Sequence, residues 1–159
     1  MKPLFYLTLP CYLLDQLTKW LVEARMPFGS SIPVIDGLFN LVHVGNTGAA
    51  FGIGKGNNLF FVALSLVALG ALVVLGKRGH LADPFSRTAA PLLASGILGN
   101  LTDRLARGHV VDFLDFHWRG WHWPAFNIAD TCICIAAGLF VLSSFRTPDR
   151  DNTASDRPE

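Results

Sequence analysis

The sequence predicts an all-α membrane protein with four transmembrane helices and a small β-containing cradle on one membrane face. Of its 159 residues, 51% are hydrophobic and only 16% are charged, whereas a soluble domain carries about 25% charged residues. Four apolar segments are each close to the roughly 20 residues that a helix needs to cross a bilayer. Because these segments and their connections account for most of the chain, we predict a single membrane domain.

The four predicted spans differ in how apolar they are. They are predicted at residues 4–22, 58–76, 88–106 and 127–145. The second span contains no charged residue, whereas Asp15 and Lys19 interrupt the first and Asp130 lies near the start of the fourth. The third span is polar only toward its end. Residues 1–146 are therefore predicted to form one integral-membrane domain, followed by a polar and disordered tail, residues 147–159.

The segment between the first two spans, residues 23–57, has β character. Residues 32–35 and 38–44 are rich in β-branched and aliphatic side chains, and an Asp-Gly turn dipeptide separates them. Residues 46–52 follow and are rich in small side chains, which permit close approach of the backbone. A hairpin or small sheet on the outer face is therefore predicted.

The distribution of basic residues predicts that both termini lie in the cytoplasm, where Lys and Arg are enriched in loops. An even number of spans places both termini on one side, and that side carries seven Lys and Arg residues against four on the other. The seven are Lys2, Lys77, Arg78, Arg87, Arg146, Arg150 and Arg157, and the four are Arg25, Lys55, Arg107 and Arg119. The outer loop, residues 107–126, contains Trp118, Trp121 and Trp123, which are typical of the headgroup region.

In this orientation the charged residues of the spans fall in the outer third of the membrane. At about 1.5 Å per residue, Asp15 and Lys19 lie roughly 18 and 24 Å above the inner end of the first span. Asp103 lies at about the same height in the third span, and Asp130 lies roughly 5 Å below the outer end of the fourth. Asp112 follows the third span closely. The sequence therefore predicts one polar layer near the outer surface.

Two aspartates of this layer have no local partner. Asp15 and Lys19 are four residues apart and can neutralise each other on one helix face. Asp103 is likewise followed four residues later by an arginine. Asp112 and Asp130 lack a cation at helical spacing, although a carboxylate at the membrane edge is costly to keep charged and is usually functional.

Two carboxyl groups a few ångströms apart share one proton, because the charge of one raises the pKa of the other. The ionised member can take a proton from water while the protonated member polarises a carbonyl group, as in aspartic proteases. This chemistry needs no serine, cysteine, metal ion or cofactor. Asp112 and Asp130 are therefore candidates for a paired-acid site.

Other kinds of site have weaker support. The polar layer contains no serine beside a histidine, and the histidines of the outer loop, His109, His117 and His122, match no metal-binding motif. The net charge of +1 gives no basis for nucleic-acid binding. The three cysteines are Cys11, Cys132 and Cys134, which we predict to be buried thiols. Pro10 directly before Cys11 argues against removal of the N-terminus as a signal peptide.

Five sequence blocks carry a family resemblance. They are Asp15-Gln16-Leu17-Thr18-Lys19, Asn46 to Phe51, Gly99 to Arg104, Gly108 to Phe113 and Phe126 to Asp130. The first three are similar to the blocks Asp-Gln-x-Ser/Thr-Lys, Asn-x-Gly-Ala-Ala-Phe and Gly-Asn-x-x-Asp-Arg of the bacterial lipoprotein signal peptidases (signal peptidase II). The last two resemble the catalytic blocks of the same family. The five blocks occur in the family's order and together are highly specific.

The resemblance implies a four-span aspartyl peptidase of the bacterial inner membrane with its active site near the periplasmic face. Such an enzyme cleaves signal peptides from diacylglyceryl-modified prolipoproteins just before the lipidated cysteine, and globomycin-type cyclic peptides inhibit it. Carried over by motif, Asp112 and Asp130 would be the catalytic pair, with no metal or cofactor. Substrate-binding residues would be Asn46, Gly48, Asn100, Arg104 and Asn127, and supporting residues would be Asp15, Lys19 and Asp103.

Further expectations concern assembly and rival functions. A monomer in contact with membrane lipid suffices for the implied activity, and the 23–57 segment would form a periplasmic cradle and lid over the bound peptide. A small transporter would place its acids at the midplane between internal repeats, and the sequence has no such repeat. A non-enzymatic scaffold would use the same charges only to join helices.

Overall fold

The computed structural model describes residues 2–48, 54 and 56–145. Within these residues the chain forms four helices and four strands. The helices are α1 (Lys2–Arg25), α2 (Asn58–Lys77), α3 (Pro84–Ala106) and α4 (Ile128–Ser144), and the strands are β1 (Ser31–Ile35), β2 (Phe39–Asn46), β3 (Val110–Trp118) and β4 (Trp121–His122). Residues 49–52 of the predicted small-residue loop and the predicted tail, residues 147–159, lie outside the described part of the chain.

Helix α3 is the central helix of the bundle and packs against each of the other three. Thr8 of α1 donates to the carbonyl oxygen of Pro91 (3.0 Å), and Lys19 contacts Asp103 further along both helices, so α1 and α3 run parallel. Helices α2 and α4 run antiparallel to α3. The C-terminal ends of α1 and α3 and the N-terminal ends of α2 and α4 therefore meet at one end of the bundle, where the strands also lie.

The contact between α3 and α4 is close because small residues face each other. A Cβ atom on Gly96 would collide with the carbonyl oxygen of Ala129 and with the side chain of Ile133. A Cβ atom on Gly99 would collide with the carboxylate of Asp15, which lies between α1 and α3. Gly96 therefore sets the distance from α3 to α4, and Gly99 sets the distance from α3 to α1.

The strands form one antiparallel layer in the order β1-β2-β3-β4. The predicted hairpin is confirmed as β1 and β2, and Gly37 of its turn has a φ of 73°, a conformation that glycine adopts without strain. The loop predicted at residues 107–126 instead contains β3 and β4, so the all-α class was too narrow. Val44 of β2 faces Asp112 of β3 in the register, and the sheet therefore carries one of the two candidate acids.

The described helices differ in how closely their length and apolar character match those of a transmembrane span. Helix α2 has no buried residue and is the one helix among the described residues that is both long and apolar enough to cross a membrane. Helix α4 is apolar but has 17 residues. The prediction of three buried thiols is confirmed for Cys132 and is wrong for Cys134, which is exposed, while Cys11 is half-buried, because residues two apart on α4 point in different directions.

Replacing Gly96 with alanine should destabilise the protein, because the added methyl group must push α4 away from α3. Overpacking of this kind costs about 1–3 kcal/mol. Gly138 of α4 is the matched control, since a Cβ atom there meets nothing within 4 Å and alanine is the better helix former by about 1 kcal/mol. Thermal unfolding in one detergent should place Gly96→Ala below the parent and Gly138→Ala at or above it. Equal midpoints for the two variants would contradict this packing.

Candidate active site

Asp112 lies near the start of β3 with its side chain turned into the protein. It is 2% exposed. The amide of Asn46 donates to its Oδ2 (3.0 Å), and the amide of Asn127 donates to its Oδ1 (2.8 Å). Asn46 ends β2, so the pairing of β2 with β3 brings this donor to the carboxylate.

Asp130 occupies the first turn of α4, where it completes a capping box with Asn127. Its backbone N–H donates to Asn127 Oδ1 (3.0 Å), and its Oδ2 accepts from the Asn127 backbone N–H (3.3 Å). Asn100 of α3 donates to its Oδ1 (2.7 Å). A capping box satisfies backbone donors that the start of a helix leaves free, so the helix cap itself orients this carboxylate.

Asn127 connects the two acids. Its backbone N–H contacts Asp130, while its side-chain amide contacts Asp112. All four carboxyl oxygens of the pair thus accept an N–H hydrogen bond. Among the described residues neither acid forms a salt bridge. The structure therefore brings together the two aspartates that lacked a local cation in the sequence.

The surroundings of Asp112 favour its protonated form. Burial is the largest cause and the nearby charge of Asp130 the second, and together they raise the pKa of Asp112 to about 7. The hydrogen bonds from Asn46 and Asn127 and the charge of Lys19 act in the opposite direction. Near neutral pH the site therefore exchanges a proton readily, as a general acid–base pair requires.

A groove of about 730 Å³ opens beside the pair. Its polar end is formed by Asp130, Asn46, Gly48, Asn100 and Arg104. Apolar side chains from three helices line the remainder, among them Phe61, Leu64, Ala68, Ile97, Ile133 and Ile135. Asp130 is thus the acid that faces the groove, and Asp112 lies behind it.

Arg104 is held at the groove by three contacts, one from the segment after β2 and two from α2. One terminal nitrogen, Nη2, donates to the carbonyl oxygen of Gly48 (3.0 Å), and the guanidinium lies 5.0 Å from the ring centre of Phe61 on α2. Its backbone carbonyl accepts from Asn58. Its buried Nε has no hydrogen-bond partner among the described residues.

The predicted supporting residues form a buried ion cluster beneath the pair. Lys19 Nζ lies 2.9 Å from Asp15 Oδ2 and 2.8 Å from Asp103 Oδ2, and all three side chains are at most 1% exposed. Asp103 also pairs with Arg107 (2.8 Å), as the four-residue spacing predicted. The charged residues of α1 and α3 therefore neutralise one another across the helix contact.

Two of the three histidines of the outer segment, His117 and His122, lie on β3 and β4, whereas His109 precedes β3. His122 contacts Asp115 (3.0 Å) and stacks on His117 with ring centres 4.9 Å apart. Burial of Asp115 opposes its ionisation, but hydrogen bonds from His122 and Asn40 hold the pKa of Asp115 below its usual value. Within the described ranges no group of three or more His, Cys, Asp or Glu residues is arranged to hold a metal ion.

Sequence reasoning missed three contributors to the site. Gln16 donates to both Asp15 and Asp103 (3.1 and 3.2 Å), and Phe61 supports Arg104 from α2. The capping box was also missed, although Asn-x-x-Asp before an apolar segment is a recognisable helix start. That signal would have placed Asp130 in the first turn of a helix from the sequence alone.

Comparisons with known proteins agree with this site and fold. A family model described as signal peptidase (SPase) II matches residues 7–146. A lipoprotein signal peptidase from Nitratidesulfovibrio vulgaris is 46% identical over 88% of this chain and 88% of its own length. A lipoprotein signal peptidase from Symbiobacterium thermophilum is 42% identical over 86% of this chain and 90% of its own length.

Solved structures extend the similarity to the fold. A structure described as a bacterial membrane enzyme aligns with a TM-score of 0.86 and 31% identity over 100% of this chain and 96% of its own. A second, of the same description, aligns with a TM-score of 0.83 and 32% identity over 93% and 96%. The four helices and the antiparallel sheet therefore form the fold of a membrane enzyme. Because the family model and the relatives match most of its length, the chain belongs to the signal peptidase II family.

Proposed function

We propose that this protein is a lipoprotein signal peptidase that hydrolyses prolipoproteins just before a diacylglyceryl-modified cysteine, with Asp112 and Asp130 as the catalytic pair. The observation that carries the proposal is the geometry of the pair: two carboxyl groups are joined through Asn127 at the polar end of a largely apolar groove. Such a groove suits a substrate whose signal peptide is apolar and whose cleavage point is polar.

Hydrolysis by the pair needs one ionised and one protonated carboxyl group. The ionised member takes a proton from water as the water oxygen attacks the scissile carbonyl carbon, and the protonated member donates to the carbonyl oxygen. The tetrahedral intermediate then breaks its C–N bond, and the amine leaves with a proton returned by the pair. The raised pKa of Asp112, about 7, suits this residue to be the protonated member near neutral pH.

We assign the remaining groove residues to substrate binding. The amides of Asn46, Asn100 and Asn127 orient the pair and border the place where the peptide must lie. Arg104 and Gly48 both border the groove, and the guanidinium of Arg104 would donate to a substrate carbonyl oxygen there. The apolar part of the groove would hold the signal peptide or acyl chain, and we infer that globomycin-type cyclic peptides compete for the same groove.

We further propose that all four helices span the inner membrane, with both termini cytoplasmic and the site near the periplasmic face. The charges that make α1 and α3 less apolar are paired inside the protein, so they need not contact lipid. The outward faces of α1 and α2 are apolar, with Leu17 52%, Leu59 80% and Val67 69% exposed. A monomer suffices for this arrangement, and residues 23–57 would cover the bound peptide from the periplasmic side.

A transporter and a scaffold are less consistent with the geometry. A proton relay needs acids aligned across the membrane near its midplane, whereas Asp112 and Asp130 lie at the outer ends of their elements. A scaffold would pair every buried charge, whereas these two acids form no salt bridge among the described residues and are joined through Asn127, with Asp130 at the groove.

The pair itself is tested by Asp112→Asn and Asp130→Asn. Each variant should reduce cleavage of a diacylglyceryl-modified precursor by more than about 100-fold, because general acid–base catalysis contributes that much or more. Asp115→Asn is the matched control on the same strand, since Asp115 bonds to Asn40 and His122 instead of the pair. The cleavage rate is measured with purified protein in detergent, by gel electrophoresis that separates the precursor from the cleaved product. Cleavage retained by either of the first two variants would refute the two-aspartate mechanism.

The pKa of Asp112 also predicts a pH dependence of stability. The native state holds this proton up to about pH 7, whereas an unperturbed aspartate releases it near 3.8. Between these values the native state binds more protons than the unfolded state, so the contribution of Asp112 to stability falls as pH rises. Asp112→Asn lacks this loss. Its melting temperature relative to the parent should therefore rise between pH 4 and pH 8.

The control for this measurement is Asp83→Asn. Asp83 caps α3, and its hydrogen bonds with Ser86 lower its pKa to about 2, so it stays ionised through the whole range. The difference between this variant and the parent should not change from pH 4 to pH 8. A flat difference for Asp112→Asn as well would show that Asp112 is ionised throughout.

The proposed depth is tested by the tryptophans, which all lie at the outer end of the molecule. Trp20 is 57%, Trp118 62%, Trp121 60% and Trp123 48% exposed. In liposomes, lipids brominated near the headgroup should quench their fluorescence more than lipids brominated near the chain ends. Trp20→Phe restricts the signal to the β3–β4 segment. Stronger quenching from the chain ends would contradict the proposed depth.

A further inference from the structure

The backbone just before each acid of the pair is held by a second, structural aspartate. The N–H of Ala129, which precedes Asp130, donates to Asp15 Oδ1 (2.8 Å). The N–H of Val111, which precedes Asp112, donates to Asp103 Oδ2 (3.2 Å). Two carboxylates from α1 and α3 therefore hold the two segments that carry the pair.

Lys19 joins these two carboxylates. Its Nζ lies 2.9 Å from Asp15 Oδ2 and 2.8 Å from Asp103 Oδ2, and its side chain is fully buried. An ammonium group has three N–H donors, and the third donates to Asn100 Oδ1 (3.1 Å). Every donor of Lys19 therefore connects to a group that contacts the pair or the backbone beside it.

The contact with Asn100 decides which way its amide points. Because Lys19 occupies Oδ1, the Nδ2 group must face the other direction, where it donates to Asp130 Oδ1 (2.7 Å). A reversed amide would place its NH₂ group against the ammonium and its oxygen against the carboxylate. The charge of Lys19 thus orients the donor that Asp130 receives.

We propose that Lys19 is a positioning residue for the hydrolysis: through Asp15, Asp103 and Asn100 it sets the separation and orientation of the catalytic pair. This inference rests on the proposed function and goes beyond the general support of a polar layer. The alternative is that Lys19 only neutralises two buried aspartates. In that case its loss would reduce the amount of folded protein without changing how the folded protein reacts.

The charged groups around the pair allow a second test of the role of Lys19, the pH dependence of the cleavage rate. Lys19 and Asp15 come from α1, and Asp103 and Arg104 come from α3. Of these, the positive charge of Lys19 favours the ionised form of Asp112. Loss of that charge should therefore move the pH–rate profile to higher pH, which an effect on folding alone cannot do.

The test replaces Lys19 with methionine, which keeps most of the length and removes the charge. We expect kcat on a diacylglyceryl-modified precursor to fall by about 100-fold, as for small misplacements of catalytic groups, with KM little changed and the pH profile of kcat shifted upward. Glu23→Gln is the matched control. It breaks an ion pair of the same network, with Arg107 (2.8 Å), but contacts neither the pair nor its backbone.

Glu23→Gln should keep kcat within about twofold, because partly exposed ion pairs contribute little, and should leave the pH profile in place. An unshifted profile for Lys19→Met with a kcat close to that of the parent would overturn the inference. If the parent cleaves the precursor, this result leaves the proposed function standing. A parent that does not cleave would instead refute the proposed function itself.

A second variant keeps the inference testable if Lys19→Met does not fold. Lys19→Met combined with Asp15→Asn removes one charge of each sign, and an asparagine oxygen can still accept from the Ala129 N–H. Removing both partners of a buried pair is far better tolerated than removing one. The double variant should fold and lose kcat, because the connection to Asp103 and Asn100 is gone. A folded double variant with the kcat of the parent would overturn the inference.

Discussion

The buried ammonium group of Lys19 is the constraint on which the outer end of the bundle depends. A fully buried cation must be neutralised and fully hydrogen-bonded, because water cannot compensate it. Asp15 and Asp103 satisfy this requirement only when α1 and α3 are side by side. Their remaining lone pairs accept N–H groups from α4 and β3. The neutralisation of one charge thus assembles four elements.

The proposed catalytic role of Asp112 and Asp130 depends on a contrast between two kinds of aspartate. Asp15 and Asp103 have a cation in contact, whereas Asp112 and Asp130 are surrounded by neutral amides and by each other. Amides orient a carboxylate without supplying a full charge, so burial and mutual repulsion are left to favour protonation of Asp112. Ionisation of both acids therefore lowers the stability of the folded protein. Such a trade-off between activity and stability is usual at catalytic groups.

The groove connects this polar end to the region of the helices that faces lipid. Its apolar walls come from α2, α3 and α4, and α2 has no buried residue. In the proposed function, this apolar wall is where the signal peptide or acyl chain would lie. Arg104 stands where the two parts meet, held by Gly48 and by Phe61, so it links the β2–α2 connection to the groove wall.

The sequence by itself determined the four helices, the β1–β2 hairpin and the placement of the acids toward one end of the helices, because these follow from hydrophobic length, turn residues and spacing along one chain. It missed β3, whose first residues are buried on both faces and so lack alternation, although its valines and aromatic residues favour a strand. Only the tertiary structure decided that Asn127 joins Asp112 to Asp130 and that Lys19 bridges Asp15 and Asp103. These contacts join side chains from different helices and strands, and no local periodicity encodes them.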